Sequence, residues 1–431
     1  MTSRAWRAWQ ADPVSRRPQP SRALCWGVVG VSLAAFGVLA AEFVPWSWVP
    51  GGELVTVRAR DVFSSAQLER AWTYSSLQRH LGWAALAVSL AVSALLGFTR
   101  WGSRLARRVP GPWWLRAPVV TLLVLSVGAL ATLPLDLWAR DNAIAYGLTG
   151  QGLAGWVRDQ AVTLLVSWVF AAVLVLVVMG AARSSPRRWP LWAALAGAVL
   201  TVLGSWVYPV VVEPLSNHFS SLPAGPLRTR VLELARIEKV PVSDVLVADA
   251  SRRTTTLNAY VSGFGSTRRV VLYDTLVSGV PQRETLTVVA HELGHARHQD
   301  VLLGTALGAT GVGVGCGLLG LLLRRRGLLD RAGVRGPDQP EAVALLLALV
   351  AVASLAASPV ENTVSRAIEA RADRASLAAT NDEPGFEEMQ VRLAVRSLSD
   401  PTPPALSEFW FGSHPTVLER LGIARALHRG R

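Results

Sequence analysis

Seven long apolar runs constrain this chain more than any other feature of its sequence. They lie at roughly 24–44, 81–98, 117–137, 160–180, 190–212, 301–323 and 341–358. A helix needs about 20 apolar residues to cross a hydrocarbon core of ~30 Å, and inside that core the backbone must satisfy its own hydrogen bonds. The runs predict a multi-pass α-helical membrane protein with about seven transmembrane helices. Seven buried core helices in a soluble protein would be the alternative, which the number of runs disfavours.

The charged residues agree with a membrane protein. They make up 17% of the 431 residues, whereas soluble domains carry nearer 25%. The net charge is +13, almost every basic residue is arginine, and the arginines cluster beside the apolar runs. That placement is typical of charges that orient a protein in a bilayer, so we expect lipid and no nucleic acid as a partner. The first run is too long for a signal peptide and no small-x-small cleavage site ends it, which favours a retained anchor.

The arginines are distributed unequally between the two ends of the runs. The N-terminal tail and the loops near 99–116, 181–189 and 324–340 together hold eighteen arginines, while the loops that alternate with them hold six. The positive-inside rule then predicts a cytoplasmic N-terminus and places the long polar segments on the outer side of the cell membrane.

Two polar segments interrupt or follow the runs and divide the chain. We predict a five-span membrane domain over 1–212 and a first polar segment over 213–300. A transmembrane hairpin over 301–358 and a second polar segment over 359–431 complete the chain.

The first polar segment has a mixed α/β pattern. The sequence predicts a helix over Arg228–Lys239, a short strand over Ser243–Ala250, and a β-hairpin formed by Thr256–Val261 and Arg269–Tyr273. Pro281 then begins a further helix.

That further helix carries the motif His291-Glu292-Leu293-Gly294-His295. Residues four apart on a helix share a face, so both imidazoles can reach one Zn²⁺ at ~2.0–2.1 Å. Glu292 is placed to accept the proton of an attacking water as general base. The motif predicts a site for one zinc ion per chain, the alternative being two surface histidines on an ordinary helix.

Neighbouring residues favour the metal site. Val288, Val289 and Leu293 would bury one side of the helix, and Gly294 permits another segment to approach closely. His298, three residues beyond the motif, is interpreted as a solvated residue rather than a ligand.

A catalytic zinc site needs a third protein ligand and an open position. Glu369 is the best candidate, and Asp373 lies four residues later on the same predicted helix face. Asp373 could accept the second ring N–H of a ligand histidine, as carboxylates around zinc sites do. Without the metal motif this segment would be a helix face of alternating charge.

The spacing places the predicted site close to the membrane. The sixth run begins about six residues after His295, and the seventh ends about eleven residues before Glu369. At ~1.5 Å per helical residue, neither group lies more than ~10–17 Å from the bilayer boundary. His414 could stabilise the oxyanion of a tetrahedral intermediate or be a loop histidine, and the residues alone leave both readings open.

Taken together, four segments resemble the type-I CAAX prenyl endopeptidase family. They are His291–His295, Ser365–Asp373, Ser413-His414-Pro415 followed by Glu419-Arg420-Leu421, and Arg252–Thr275. The resemblance implies a seven-span membrane metallopeptidase whose mainly α, thermolysin-like zinc protease domain carries a small β-hairpin or sheet.

The resemblance also implies roles for individual residues. His291, His295 and Glu369 would bind zinc, Glu292 would be the base, Asp373 would orient a ligand and His414 would stabilise the oxyanion. Asn258, Ala259 and Tyr260 would lie on an edge strand that pairs with an extended protein or peptide substrate.

Substrate and sidedness stay open at this level. Substrates would be membrane-associated or CAAX-type proteins, or membrane proteins removed in quality control. Eukaryotic members of the family present the opposite orientation to the one that the arginine count predicts.

Two other classes of protein compete with a protease. One is a non-enzymatic transporter or receptor, against which the near absence of charge at the centres of the runs argues. The other is an inactive pseudo-protease, which the presence of Glu292 disfavours.

Overall fold

The computed structural model describes residues 18–429. Four of the N-terminal arginines counted above lie outside this range, namely Arg4, Arg7, Arg16 and Arg17. The first half of the chain contains the helices α1 (Arg22–Phe43), α2 (Ser65–Phe98), α3 (Arg100–Arg108), α4 (Trp113–Ala145), α5 (Leu153–Ser184), α6 (Trp189–Val207) and α7 (Glu213–Ser216). A π-helical turn, Tyr208–Val212, joins α6 to α7.

The second half contains the sheet and the remaining helices. The strands are β1 (Phe219–Ser221), β2 (Asp244–Ala248), β3 (Ala259–Ser262) and β4 (Arg269–Tyr273). The helices are α8 (Pro226–Ile237), α9 (Asp274–Gly279), α10 (Gln282–His298), α11 (Asp300–Leu322), α12 (Arg326–Ala332), α13 (Val343–Thr380), α14 (Glu383–Ser397), α15 (Ala405–Phe411) and α16 (Val417–Arg429).

Within residues 18–429, seven helical segments are long and apolar enough to cross a membrane, which confirms the predicted number. They are α1, α2, α4, α5, α6 with its continuation to Leu215, α11 and α13. Large apolar side chains on these helices face outward, such as Val31 at 72% exposure and Leu130 at 68%. A soluble protein would bury side chains of this kind, so the outer surface of the bundle is suited to lipid.

Small residues bring the spans into close contact. A Cβ on Gly97 of α2 would lie 2.4 Å from the Cβ of Ala348 on α13, and one on Gly317 of α11 would lie 2.6 Å from Val29 on α1. The glycines of α11 therefore permit close helix packing, as small residues do between membrane helices. Neighbouring contacts run from α13 to α2, α4, α5, α6, α11 and then α1.

The seventh span does not end at the membrane. α13 is one helix of 38 residues that contains Pro359 and continues through Glu369 to Thr380. Likewise α11 begins at Asp300, directly after α10 ends at His298 and Gln299 adopts a left-handed conformation. The helices that carry the candidate site are thus direct extensions of membrane spans, which fixes the site next to the bilayer.

A small mixed sheet covers one side of α10. Its strand order is β1-β2-β4-β3, with β2 and β4 parallel and the other pairs antiparallel. The predicted hairpin is present as β3 and β4, but β3 begins at Ala259 instead of Thr256. The threonines before β3 lie in a loop, which is attached to the membrane domain because Thr255 donates its N–H to the carbonyl of Leu148.

Candidate metal centre

The helix α10 has a buried apolar side and a second side that carries the polar motif. Pro281 precedes its first turn, where a missing backbone donor costs nothing. Val289, Ala290 and Leu293 are fully buried against the sheet and neighbouring helices. The apolar side therefore anchors the helix, and its other side is free to carry His291 and His295.

α13 packs directly on this helix at Gly294. A Cβ at Gly294 would lie 2.9 Å from the Cβ of Ala375 and 3.5 Å from the Cα of Ala372. Any larger residue would push the two helices apart. This close approach is what brings Glu369, far away in the sequence, to the two histidines.

Three side chains converge on one point. The Nε2 atoms of His291 and His295 are 3.1 Å apart. His291 Nε2 lies 3.2 Å from Glu369 Oε2, and His295 Nε2 lies 3.4 Å from Glu369 Oε1. The three groups form a potential metal site among the described residues, with ligand atoms within 4.8 Å of one another.

The geometry fits a small cation. Each histidine uses its Nδ1 towards a carboxylate, 2.9 Å from Asp373 for His291 and 2.8 Å from Asp300 for His295. If each Nδ1 carries the proton, both Nε2 atoms present lone pairs to each other and to Glu369. Oε2 of Glu369 is buried without a hydrogen-bond donor. Ligands of a tetrahedral zinc are about 3.3 Å apart, which matches the three separations.

Electrostatics around the motif also favours a cation. Burial alone would lower the pKa of His295, but hydrogen bonds with Asp300 and Glu369 outweigh it and raise that pKa to about 10. The carboxylates thus stabilise positive charge where the imidazole nitrogens meet. Desolvation raises the pKa of Glu292, which among the described residues makes no ion pair or hydrogen bond. An unpaired carboxylate beside a cation site is suited to accept a proton.

Two arginines fix the carboxylates that hold the histidines, and the motifs alone did not single them out. Arg420 of α16 contacts both oxygens of Asp373, with Nε 2.8 Å from Oδ2, and its Nη2 lies 3.3 Å from His291 Nδ1. Arg371 of α13 contacts one oxygen of Asp300, Oδ1, through its Nη2.

Sequence reasoning also missed Asp300 as a partner of His295, because it sits at the start of a membrane span. Its position five residues after His295 is the feature of the sequence that could have indicated this contact. The arginine of the Glu419-Arg420-Leu421 segment was visible in the sequence, but nothing there indicated its contact with Asp373.

His414 lies beside the converging groups and is the most exposed of them. Its Nε2 is 3.5 Å from Glu369 Oε1, and its Nδ1 is 2.9 Å from the hydroxyl of Ser413. The side chain is 60% exposed, so it borders open space at the site. His298, by contrast, is exposed outside the three-residue group.

The strand β3 leaves one edge of the sheet open beside α10. Tyr273 donates its N–H to the carbonyl of Asn258, so this pair is hydrogen bonded, and the pairing alternates along the strand. Ala259 therefore directs its backbone N–H and carbonyl away from β4. The side-chain oxygen of Asn258 accepts that N–H at 2.9 Å. Tyr260 is half-buried on the same strand.

Comparisons with known proteins agree with this geometry. The family model described as "Peptidase family M48" matches residues 221–428. The family model described as "CAAX prenyl protease N-terminal, five membrane helices" matches residues 52–218. With seven spans and a His-His-Glu group at one point, the chain is a multi-pass membrane zinc metalloendopeptidase.

Curated relatives place the chain in its family. It is 31% identical over 319 residues to a Bacillus subtilis (strain 168) protein named "Uncharacterized metalloprotease YhfN", covering 72% of this chain and 75% of that protein. It is 30% identical to the "CAAX prenyl protease 1 homolog" of Oryza sativa subsp. japonica, covering 68% of this chain and 69% of that protein. The chain belongs to peptidase family M48, and its predicted resemblance to CAAX prenyl proteases is confirmed.

A solved structure shares the fold. The crystal structure of S. mikatae Ste24p matches with a TM-score of 0.76 over 93% of this chain and 99% of that one, at 19% sequence identity. The comparisons give no support to a transporter, a receptor or a pseudo-protease.

Proposed function

We propose that His291, His295 and Glu369 hold the zinc ion and that Glu292 is the general base for hydrolysis of a peptide bond. The observation that carries this proposal is the convergence of two imidazole nitrogens and one carboxylate group, with separations of 3.1–3.4 Å, on a point with no donor of its own. A bound zinc ion polarises a carbonyl and acidifies water.

The other groups orient this centre. Asp373 and Asp300 hold the two imidazoles through Nδ1, so each presents Nε2 to the metal. Glu292 takes the proton of the attacking water and passes it to the leaving amine. His414 has an exposed ring beside Glu369, from which it donates a hydrogen bond to the developing oxyanion.

The open edge of β3 binds the substrate backbone. An extended peptide that adds to this edge pairs with the N–H and carbonyl of Ala259 and displaces the side chain of Asn258. Tyr260 lines the same strand. Because backbone groups form these bonds, binding depends on an extended conformation more than on a particular sequence.

The substrates are proteins brought to the membrane surface. The span α11 follows α10 directly, and α13 is the seventh span together with its continuation to Thr380. Only polypeptide segments close to the bilayer therefore reach the metal centre. Relatives carry the name CAAX prenyl protease 1, which favours membrane-anchored C-terminal segments as the substrate class.

In this proposal the chain divides by role. Residues 1–212 form the membrane domain, 213–300 and 359–431 are the two halves of the peptidase domain, and 301–358 is the hairpin that joins them. The cell membrane is the proposed location.

The experiment is cleavage by the detergent-purified chain of a farnesylated CAAX peptide and an unfolded, unmodified polypeptide. Glu292→Gln and a zinc chelator should each abolish cleavage, whereas Glu361→Gln, an exposed residue of α13, should not. Preference for the farnesylated peptide supports CAAX-type processing, and preference for the unmodified chain supports quality control.

Two results would contradict the proposal. Wild-type protein that holds one zinc per chain and cuts neither substrate would contradict the assigned substrates. Cleavage that survives Glu292→Gln would show that another group is the base.

A further inference from the structure

The end of the bundle opposite the metal centre is strongly basic. This basic end consists of residues 18–22, 99–116, 183–189 and 324–341, which meet around the far termini of the spans. It holds fourteen arginines and three acidic residues. The arginines are Arg22, Arg100, Arg104, Arg107, Arg108, Arg116, Arg183, Arg187, Arg188, Arg324, Arg325, Arg326, Arg331 and Arg335.

Several of these arginines join the segments through carbonyl groups instead of carboxylates. Arg107 donates to the carbonyl of Gly333 at 2.7 Å, and Arg183 donates to the carbonyl of Asp338 at 2.9 Å. Arg324 donates to the carbonyl of Pro20. A carbonyl fixes a guanidinium without neutralising it, so the basic end keeps most of its positive charge. Arg116 also has a carboxylate partner, Glu341, at 2.9 Å.

A cavity of about 350 Å³ opens between the helices at this end. It lies where α1 begins, α5 ends, α6 begins and α11 ends. Its wall combines two arginines, Arg183 and Arg335, with the apolar surfaces of Trp189 and Leu323. Asp338 is the acidic residue of the lining. Such a volume is at the lower bound for small-molecule sites and suits a compact polar group.

The helices below the cavity offer an apolar surface towards lipid. Trp26 of α1 is 59% exposed and Trp192 of α6 is 49% exposed, each within about two turns of the cavity wall. Tryptophan at this depth is typical of the boundary between headgroups and acyl chains. Leu195 and Val31 continue the exposed apolar surface towards the bilayer centre.

We propose that this cavity binds the phosphate headgroup of one anionic phospholipid, whose acyl chains lie along α1 and α6. Arg183 and Arg335 are the phosphate ligands. Basic pockets between spans at the membrane surface bind anionic headgroups by this combination of charge and apolar tail contact. Free phosphate lacks the tail contacts, so the apolar surface favours the lipid.

The test measures binding of phosphatidylglycerol and phosphatidylcholine to the full detergent-purified chain by native mass spectrometry. Arg183→Gln combined with Arg335→Gln should weaken phosphatidylglycerol binding about thirtyfold, the effect of removing two cations from an anionic surface. The matched control is Arg187→Gln with Arg326→Gln, two exposed arginines outside the cavity, and it should weaken binding less than about threefold. Phosphatidylcholine should bind weakly throughout, and excess inorganic phosphate should not displace the phosphatidylglycerol.

Equal loss in both double variants would overturn the proposal, because it would indicate diffuse attraction to the basic end. Displacement by inorganic phosphate would make the cavity a phosphate site and not a lipid site. If the cavity variant unfolds, Arg335→Gln alone decides, with a loss of roughly fivefold expected. Unchanged binding by that single variant would contradict the proposal.

Discussion

The two ends of the helical bundle use charge in opposite ways. At the metal end the two carboxylates behind the histidines are buried and paired: Asp373 is fully buried between His291 and Arg420, and Asp300 lies between His295 and Arg371. At the basic end the arginines are mostly exposed, and Arg107 and Arg183 donate to carbonyl groups.

The difference teaches where single substitutions matter. A buried charge that loses its partner has no water to replace it, so the effect is large and specific. When an exposed arginine is replaced, water solvates the groups that it contacted, so the effect on stability is small. Function at the metal end therefore depends on individual atoms, whereas at the basic end a single exposed arginine outside the cavity should matter little.

The largest expected effect is at Glu369, the proposed third ligand. Glu369→Gln should abolish zinc binding and lower cleavage by roughly 10³-fold or more, because the neutral amide is a poor ligand and the metal's contribution is lost. Zinc content and initial cleavage rates measure both. Glu361→Gln, an exposed glutamate on the same helix, is the control. Retained zinc in the Glu369 variant would show that this carboxylate is not needed to hold the metal.

Next in size is His414. His414→Ala should lower kcat by about 10²–10³-fold, the usual effect of losing one oxyanion donor, while zinc content stays at one per chain. His428→Ala, an exposed histidine near the end of α16, should leave the rate unchanged. A loss of zinc in the His414 variant would show that this residue supports the metal instead of the transition state.

The carboxylates behind the histidines should have a smaller effect. Asp300→Asn should weaken zinc affinity by roughly 10–100-fold, because the amide holds the His295 imidazole less firmly and makes it less basic. Competition with a chelator of known affinity measures the change, and Asp330→Asn at the basic end is the control. An unchanged affinity would mean that His295 needs no orientation from Asp300.

The smallest effect on stability and cleavage is expected at the basic end, outside its cavity. Arg104→Gln on the exposed side of α3 should change the free energy of unfolding by no more than about 0.5 kcal/mol and leave cleavage unaltered. Thermal unfolding in detergent and the peptide assay provide the values. A clear loss of cleavage would show that the two ends of the bundle are coupled.

Much of the architecture could be predicted from the sequence. Runs of apolar residues predict spans because a bilayer core allows little else, and seven were found as expected. The His-Glu-x-x-His spacing places the two proposed histidine ligands on one helix face by helical geometry alone. Run boundaries were less informative: α2 begins at Ser65, well before its apolar run, because a helix can continue into water.

What the sequence by itself determined are the local features: the spans, the metal helix, the hairpin and the membrane class. Glu369 was already the candidate third ligand, but only the tertiary structure decided that it reaches the histidines across Gly294, that Arg420 contacts Asp373 and that Asp300 contacts His295. The reason is physical. Periodicity and motif spacing report on residues within one element, whereas ligand sets and charge partners depend on how elements pack, which no local pattern encodes.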